Sequence, residues 1–490
     1  MSPRVRLGGL AACLLVRAAI AHADPAPTPA PATGRAASLK DVVRTLVADA
    51  KLGERVGVCI VDLASGREVA SHQANLPLNP ASNMKLVTAA ASLIGLGADF
   101  RMRTGLYGRV QGDAVVGGLY LKGYGDPTLG GADLLALGQD LHAIGVRKVD
   151  EVIIDASYFD DQILPPAFDQ QPDEMSPFRA AVAAVSVDDN AYTLRIRPGA
   201  AAGDAARVDI DGPGYFVVTN KIATTPRGTP NVIAVQSAKG DKLVLRLSGS
   251  IPLGVGTLSY RRRVESPLHY AGYILVDALH ALRIQAPERV TLRKTPADAS
   301  LLASRSSPPL SQVLYALGKS SDNFVAEMLL KVLAAERVKQ PGTSADGARA
   351  ALDTLKRLGV PIGNVHMVNG SGLFRGNTIA AAHLARLLEA VHRDAALRPE
   401  FLAQFAIGGV DGTLADRLKT LPAPRIVRAK TGTLADVGAL SGYVLGPTPG
   451  SGMAFSVIAN DVGGKVHAAR QLADAIVTAI AAQLYAPTSK

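Results

Sequence analysis

Tryptophan is absent from the sequence, and aromatic residues make up only 4% of its 490 residues. Proteins that bind single-stranded nucleic acid stack bases on aromatic side chains, so this composition disfavours that function. The nine histidines are scattered, and the chain has neither a His-Glu-x-x-His motif nor a cysteine cluster. Glycine-rich stretches such as residues 123–125 are not followed by the Lys-Ser or Lys-Thr of a phosphate-binding loop. We therefore expect no metal site, no nucleic-acid partner and no cofactor.

The N-terminus has no unbroken apolar run of the roughly 20 residues that a membrane-spanning helix needs. Arg4 and Arg6 instead precede a short apolar stretch, and Ala-His-Ala at residues 21–23 fits a cleavage pattern. Residues 1–23 are therefore predicted to be a cleaved signal peptide that exports the protein to the periplasm. Residues 24–36 are predicted to be an extended Pro/Ala linker.

Cysteine is also scarce, since the chain contains only Cys13 and Cys59. Leu-Ala-Ala-Cys at residues 10–13 resembles a lipoprotein box, which leaves a lipid-anchored form as an alternative to plain signal cleavage. With residues 1–23 removed, Cys59 would be the single thiol and no intrachain disulfide could form. Cys59 lies in the apolar run 56–61 and is predicted to be a buried strand residue.

Acidic residues are outnumbered by basic ones, which gives a formal net charge of +10. An exported basic protein is attracted to anionic wall polymers or lipid surfaces, but a charge of this size is also ordinary for a soluble chain of this length. The apolar spacing predicts a final helix at residues 467–484, after which there is no room for an additional amphipathic anchor. We therefore expect weak or no membrane association, and the oligomeric state stays open.

Apolar periodicity distinguishes the two ends of the chain from its middle. The predicted end elements are helices at 39–50, 80–95 and 467–484 and strands at 56–63, 68–74, 438–444 and 453–460. Together they would form one antiparallel sheet flanked by helices, which is an α+β arrangement. Residues 105–295 are instead rich in Gly, Asp, Pro and short alternating runs. We predict one domain formed by residues 37–100 and 296–490, interrupted at 101–295 by mostly β structure in two subdomains.

Ser-Asn-Met-Lys at residues 82–85 lies at the start of the predicted buried helix. Ser82 and Lys85 are three residues apart, so on a helix they share one face and can touch. Burial and nearby positive charge lower the pKa of a lysine, which would allow Lys85 to act as a base toward the Ser82 hydroxyl. The motif is weak on its own, because a surface lysine at a helix end gives the same pattern.

Ser-Asp-Asn at residues 321–323 lies between two predicted helices. One interpretation is a helix N-cap, which Ser and Asp favour. The functional interpretation gives the Ser321 hydroxyl the task of passing a proton to a leaving amine. Asn323 would then hold the peptide group of the substrate and Lys85.

Lys-Thr-Gly-Thr at residues 430–433 follows a basic run that is typical of an edge strand. Lys430 would place positive charge beside the nucleophile, and Thr431 and Thr433 could donate to a terminal carboxylate. Gly432 would let a substrate backbone lie close to the strand. The backbone N–H groups of Thr433 and Ser82 would form an oxyanion hole. The alternative is a basic loop in a hairpin.

The three motifs are far more specific together, because their order matches the serine-acylase set of penicillin-binding proteins and class A β-lactamases. Compact β-lactamases place the first two motifs much closer together. The sequence resembles the low-molecular-mass class C penicillin-binding proteins, which are D-alanyl-D-alanine carboxypeptidase/endopeptidases with extra domains inserted between those motifs. Further stretches that resemble this family are residues 123–129, 187–190, 369–373 and 409–414.

The resemblance also concerns the substrate pocket. It implies that Asp173, Phe178 and Arg375 line a pocket for the side chain of the substrate, although an ordinary surface position is the better interpretation of Asp173. The chain departs from the family at Asn369, where Asp is usual, and at Phe374, where Ser is common.

The resemblance implies a penicillin-binding/β-lactamase-like catalytic domain and a serine D,D-carboxypeptidase or D,D-endopeptidase. Such an enzyme cleaves peptidoglycan stem peptides through an acyl-enzyme at Ser82 and is inhibited by β-lactams, so both are expected partners. A β-lactamase or esterase on the same scaffold is the nearest alternative, because the sequence does not give a deacylation rate. A catalytically inert wall-binding protein is the alternative from another class, and the complete motif set argues against it.

Overall fold

A computed structural model describes residues 5–7 and 38–486. The strands are β1 (Val5–Leu7), β2 (Val56–Asp62), β3 (Glu68–His72), β4 (Arg103–Gln111), β5 (Ala114–Gly123), β6 (Lys148–Val149), β7 (Val152–Asp155), β8 (Ala191–Arg197), β9 (Arg207–Ile210), β10 (Phe216–Thr225), β11 (Asn231–Lys239), β12 (Lys242–Pro252), β13 (Leu258–Arg263), β14 (Val290–Leu292), β15 (Ser300–Ser306), β16 (Ala406–Ile407), β17 (Val427–Leu434), β18 (Val437–Leu445) and β19 (Gly452–Asn460). The α-helices are α1 (Leu39–Ala50), α2 (Met84–Leu96), α3 (Gly131–Ala143), α4 (Pro267–Ala281), α5 (Leu310–Lys319), α6 (Asn323–Arg337), α7 (Ser344–Arg357), α8 (Ala381–Arg393), α9 (Arg398–Ala403) and α10 (Val466–Leu484). The predicted signal peptide and linker lie outside the described residues, except for β1, which pairs with β11.

The main sheet has six antiparallel strands in the order β16-β17-β18-β19-β2-β3. Strand β2 is an apolar run because both of its faces are covered. Val58 and Ile60 belong to the core beneath α1 and α10, whereas Cys59 and Val61 belong to the core beneath α8, as the alternation of a strand requires. The predicted antiparallel sheet flanked by helices is confirmed, and β2 pairs with β19 from the opposite end of the chain.

Helix α2 lies inside a cluster of helices next to this sheet. It packs against α5, α6 and α7, and nearly all of its residues are buried. This explains why the helix is apolar nearly all round. A single 3₁₀ turn, Ala81–Asn83, precedes α2 and packs against β17 and β18. The start of α2 therefore lies against β17 and β18 of the main sheet.

The insert contains a second sheet that is mixed rather than antiparallel. Its order is β14-β7-β5-β4-β15, with β6 paired to β5, and β14, β7 and β5 run parallel. Helices α3 and α4 pack together beside it. Two small sheets, β13-β8-β9 and β1-β11-β12-β10, complete the insert. The elements from β4 to β15 contribute to one hydrophobic core that is separate from the two cores of the main sheet.

Two features of the insert differ from the sequence prediction. Strand β15 pairs with β4, so it lies with the second sheet although the predicted boundary falls at residue 295. The insert also contains two helices that were not predicted, whose apolar faces cover the parallel strands, although most of its regular structure is β as predicted. No helix among residues 38–486 is long and apolar enough to span a membrane.

Candidate active site

Ser82 lies in the 3₁₀ turn before α2, and a network of asparagines fixes this turn. Asn79 and Asn460 exchange two hydrogen bonds, from the Asn79 N–H to Oδ1 at 2.7 Å and from Asn460 Nδ2 to the Asn79 carbonyl at 2.9 Å. The Asn79 side chain accepts the N–H of Ala81, whose φ is +46°. Asn83 Nδ2 donates to Ser441 Oγ on β18 at 3.1 Å. The turn is therefore tied to β18 and β19 on both sides of Ser82.

Lys85 is the second residue of α2, one turn after Ser82, and is fully buried. Its Nζ is 3.1 Å from Ser82 Oγ, and it donates to Asn323 Oδ1 at 2.6 Å and to the Ser371 carbonyl at 2.7 Å. Two of these three partners, the amide oxygen and the carbonyl, can only accept hydrogen bonds. In the neutral amine they occupy both N–H groups, so the lone pair faces the Ser82 hydroxyl.

The surroundings of Lys85 favour this neutral form. Burial lowers the pKa of Lys85 from its usual 10.5 to about 7, and Glu327 and Asp322 act in the opposite direction. A base whose pKa is close to neutral pH is matched to proton transfer in water at that pH. Lys85 is thus both placed and electrostatically adjusted to accept the Ser82 proton.

The loop between α5 and α6 carries the second motif. Asp322, rather than Ser321, caps α6 by accepting the N–H of Val325 at 3.1 Å. Ser321 has a φ of +60°. Asn323 uses both ends of its amide, because Oδ1 accepts from Lys85 while Nδ2 donates to the Phe178 carbonyl at 2.9 Å. The N-cap interpretation therefore applies to Asp322 and leaves the other two side chains of the motif for the site.

Lys430 on β17 is the second buried lysine of the site. Its Nζ donates to Ser321 Oγ at 2.6 Å and to the Thr431 carbonyl at 2.8 Å. Burial is the main cause that holds the pKa of Lys430 well below its usual value, and the nearby charge of Lys85 lowers this pKa further. The structure thus brings together two hydroxyl–amine pairs, Ser82 with Lys85 and Ser321 with Lys430. Asn323 bonds to the first pair and is two residues from the second.

The remaining residues of the third motif follow along β17. Thr431 Oγ1 bonds to Thr413 Oγ1 at 2.8 Å, a partner that the sequence analysis did not identify. Thr433 lines the cleft beside Ser82. A Cβ on Gly432 would lie 2.7 Å from the Pro80 carbonyl, so this glycine is needed for close packing of β17 on the Ser82 turn. The prediction that Gly432 makes room for substrate did not include this intramolecular reason.

A cleft of about 720 Å³ opens over Ser82. It is lined by Ser82, Gln170, Gln171, Phe178, Ser321, Asn323, Leu373, Phe374, Arg375, Thr433, Leu434, Ala435, Asp436 and Gly463. Arg375 forms an ion pair with Asp436 at 2.7 Å across the cleft wall. Gln170 of the insert exchanges two hydrogen bonds with the Arg375 backbone, at 2.9 and 3.1 Å. The insert therefore supplies part of this wall.

The structure does not bring Asp173 into the cleft. This side chain is exposed and lines a separate cavity of about 330 Å³, between the two small sheets of the insert. Phe178 and Arg375 do line the cleft, as predicted, and Asp436 is the acidic residue found there. The exposure of Asp173 agrees with its preferred interpretation as an ordinary surface residue, and it does not reach the substrate cleft, because the chain turns away from the cleft between Gln171 and Phe178.

Sequence reasoning also missed the loop beneath Lys85. The Ser371 carbonyl holds Lys85, and the Thr88 hydroxyl donates to the Gly370 carbonyl at 2.7 Å. Glu327 of α6 accepts the N–H groups of both Gly370 and Ser371. The signal that could have revealed Glu327 is a carboxylate four residues after Asn323 in an otherwise apolar stretch, because such spacing places both on one helix face.

The arrangement has the chemistry of acyl transfer. A hydroxyl beside a buried neutral amine is an activated nucleophile. A second hydroxyl, held by a second buried amine, is available as a proton carrier to a leaving group. No cluster of acidic, histidine or cysteine side chains that could hold a metal ion exists within residues 38–486.

Comparisons with known proteins agree with this chemistry. The D-Ala-D-Ala carboxypeptidase 3 (S13) family matches residues 39–483. A D-alanyl-D-alanine carboxypeptidase of Actinomadura sp. is 34% identical over 93% of this chain and 87% of its own length. D-alanyl-D-alanine carboxypeptidase DacB of Haemophilus influenzae is 26% identical over 80% of this chain and 82% of its own.

Solved structures share the fold. The crystal structure of penicillin binding protein 4 from Haemophilus influenzae superposes with a TM-score of 0.75 at 24% identity, covering 89% of this chain and 99% of that one. The same protein in complex with a β-lactam superposes with a TM-score of 0.70 over the same shares.

Proposed function

Because the chain belongs to the D-Ala-D-Ala carboxypeptidase 3 (S13) family of serine hydrolases, we propose that Ser82 is its nucleophile and Lys85 the base that activates it. The observation that carries this proposal is the triple hydrogen bonding of Lys85. Its two fixed acceptors, Asn323 Oδ1 and the Ser371 carbonyl, direct the lone pair of the neutral amine toward Ser82 Oγ. As a low-molecular-mass class C penicillin-binding protein, the chain acts on D-alanyl-D-alanine peptides.

In the first half of the reaction the Ser82 oxygen forms a bond to the penultimate D-Ala carbonyl carbon as Lys85 takes its proton. The backbone N–H groups of Ser82 and Thr433 receive the oxyanion. The C–N bond then breaks, and Ser321 delivers its proton to the departing amine while Lys430 keeps the hydroxyl oriented. The proton that Lys85 took is passed back to Ser321, which restores its hydroxyl and leaves Lys85 neutral. In the second half, Lys85 takes a proton from water as the water oxygen bonds to the acyl carbon, and it returns that proton to Ser82 as the ester C–O bond breaks.

The substrate is held by groups on three sides of the cleft. Thr431 and Thr433 are suited to the terminal carboxylate, with Lys430 behind them as the positive charge. Phe178 and Arg375 face the part of the cleft that would receive the side chain of the stem peptide. A D-Ala–diamino-acid cross-link presents the same carbonyl, so endopeptidase action uses the same residues.

We further infer that the protein works in the periplasm. Its substrate, peptidoglycan, lies there, and the predicted signal peptide would export the protein to that compartment. β-Lactams present a strained amide beside a carboxylate and would acylate Ser82 in place of the stem peptide. The complex of a β-lactam with a structurally similar penicillin-binding protein supports this expectation.

The test is labelling with a fluorescent penicillin. Wild-type protein is expected to form a stable adduct at Ser82, while Ser82→Ala gives none at equal concentration and unchanged thermal unfolding. A wild-type protein that stays unlabelled, or a Ser82→Ala variant that still labels, would contradict the proposal.

A second readout separates the peptidase from its nearest rival. Defined muropeptides incubated with the enzyme should lose D-alanine or be split at the cross-link. A β-lactamase or esterase would instead hydrolyse the drug through many turnovers and leave the muropeptides intact.

A further inference from the structure

Glu327 is a fully buried carboxylate that the mechanism above does not use. It lies on α6, four residues after Asn323, so both side chains project from one face of that helix. Burying a carboxylate away from water is costly unless charges and hydrogen-bond donors compensate it. The groups that compensate Glu327 therefore indicate what the residue does.

The hydrogen-bond donors to Glu327 are two consecutive backbone amides. Ser371 N–H donates to Oε1 at 2.7 Å, and Gly370 N–H donates to Oε2 at 3.0 Å. A Cβ on Gly370 would lie 2.7 Å from the Ala326 carbonyl, so the loop packs closely against α6 only because this residue is glycine. The carbonyl of Ser371, held in this way, is the one that accepts a proton of Lys85. Glu327 thus fixes the peptide that orients the proposed base.

The second compensating group is Lys85 itself. Lys85 is faced by Glu327 and Asp322 from α6 and by Lys430 from β17. Among these, Glu327 is the largest influence that raises the pKa of Lys85 against the effect of burial. Burial raises the pKa of Glu327, while its amide donors and Lys85 oppose that rise. Asp322 is half-buried and is occupied in capping α6.

We propose that Glu327 is a positioning residue for acylation, which holds the Ser371 carbonyl against Lys85 and supplies a buried negative charge on that side of the amine. The proposal rests on the function proposed above, since it assumes that neutral Lys85 activates Ser82.

The test measures the rate of acylation by penicillin between pH 5 and 9 in wild type, Glu327→Gln and Glu327→Asp. The wild-type rate is expected to rise through a pKa near 7 as Lys85 becomes neutral. Removing a negative charge lowers the pKa of a nearby lysine, so the rise in Glu327→Gln should move to lower pH by at least about 0.5 unit. Its plateau should fall at least about tenfold because the Ser371 carbonyl is no longer held in place. Glu327→Asp keeps the charge, so its pH profile should stay close to wild type while its plateau falls.

The matched control is Thr88→Ala, which removes the other hydrogen bond to the same loop without changing any charge. Its pH profile should coincide with that of wild type. A folded Glu327→Gln with an unshifted profile, or an equal shift in Thr88→Ala, overturns the proposal. If Glu327→Gln does not fold, Glu327→Asp decides, because a plateau equal to wild type overturns the positioning role and a tenfold fall at unchanged thermal unfolding supports it. Failure of the wild-type protein to acylate at Ser82 would instead reject the proposed function.

Discussion

At the scale of single residues, the importance of the Asn369 side-chain amide can be tested by replacing its NH2 group with an oxygen. It is fully buried, its Nδ2 donates to the Pro166 and Leu373 carbonyls at 3.0 and 3.2 Å, and its Oδ1 accepts from Gly372 and Asn377 at 2.9 and 2.8 Å. A carboxylate has no N–H, so Asn369→Asp would leave two carbonyls without donors and bury a charge. We expect a loss of about 1–3 kcal/mol in the free energy of unfolding, measured by urea titration.

Asn231→Asp is the matched control, because it makes the same chemical change at an exposed position. Its stability should stay within about 0.5 kcal/mol of wild type. Equal stability of the two variants would show that the Asn369 amide is not needed in this network.

At the same scale, the sequence motifs identified the predicted reacting residues, but they did not reveal the residues that reach the site only through tertiary packing. Motifs selected five residues: the structure places Ser82, Ser321 and Asn323 on one cleft and buries Lys85 and Lys430 behind them, within hydrogen-bonding distance. Their roles stay predictions. Asn460 and Ser441 support the Ser82 turn from positions that are distant in sequence and belong to no motif, so no pattern links them to the site.

At the scale of elements, the packing of β17 on the 3₁₀ turn depends on Gly432. A methyl group there would lie 2.7 Å from the Pro80 carbonyl and 3.2 Å from the Ala81 Cβ. Because backbone atoms cannot swing aside, Gly432→Ala should push the turn away from the strand. We expect penicillin acylation to slow at least about tenfold, since small displacements of a nucleophile are costly, and thermal unfolding to occur at a lower temperature.

Gly256→Ala is the control, because a Cβ at that position meets no atom within 4 Å. It should match wild type in both measurements. A Gly432→Ala protein that acylates slowly but unfolds at the wild-type temperature would favour the earlier interpretation, in which this glycine makes room only for substrate.

Helices were predicted best where apolar residues recur at helical spacing over a long segment. The predicted helix 39–50 coincides with α1, and the predicted helix 467–484 begins one residue after α10 begins. The predicted helix at 80–95 starts too early, because the chain first makes the 3₁₀ turn that presents Ser82. Helix α3 was missed because its glycines and the surrounding short runs resemble β structure.

At the scale of the whole molecule, the reactivity of the Cys59 thiol measures how well the main sheet stays closed around β2. It lies in β2 between β19 and β3, with no exposed surface, and burial raises the pKa of its thiol to about 12. Only a thiolate reacts readily. In protein lacking residues 1–23, we expect a chromogenic disulfide reagent to label the native state at least about a thousandfold more slowly than the urea-unfolded state.

Cys59→Ala should give no labelling in either state, which assigns the signal. Rapid labelling of the native wild type would mean that β2 opens locally, in conflict with its central place in the sheet.

The interrupted arrangement could be predicted from sequence only in outline. Similar elements at both ends of the chain indicated a shared sheet, and the long gap between the first two motifs indicated an insert. The contribution of the insert to the cleft was not visible, because Gln170 and the Phe178 carbonyl act from an irregular segment without periodicity. Asp173 lies in the same irregular segment, which is why its position relative to the cleft could not be predicted.

The pairing of β2 with β19 also determines when activity can arise during biosynthesis. The nucleophile turn is made early, whereas β17 and β19, which carry the second lysine and the anchoring asparagine, emerge from the ribosome much later. Until then the nascent chain has half of the site beside an unpaired apolar strand, and it is slow to fold because the contacts it needs are far apart in sequence. Catalytic competence is thereby postponed until β17 and β19 have been synthesised.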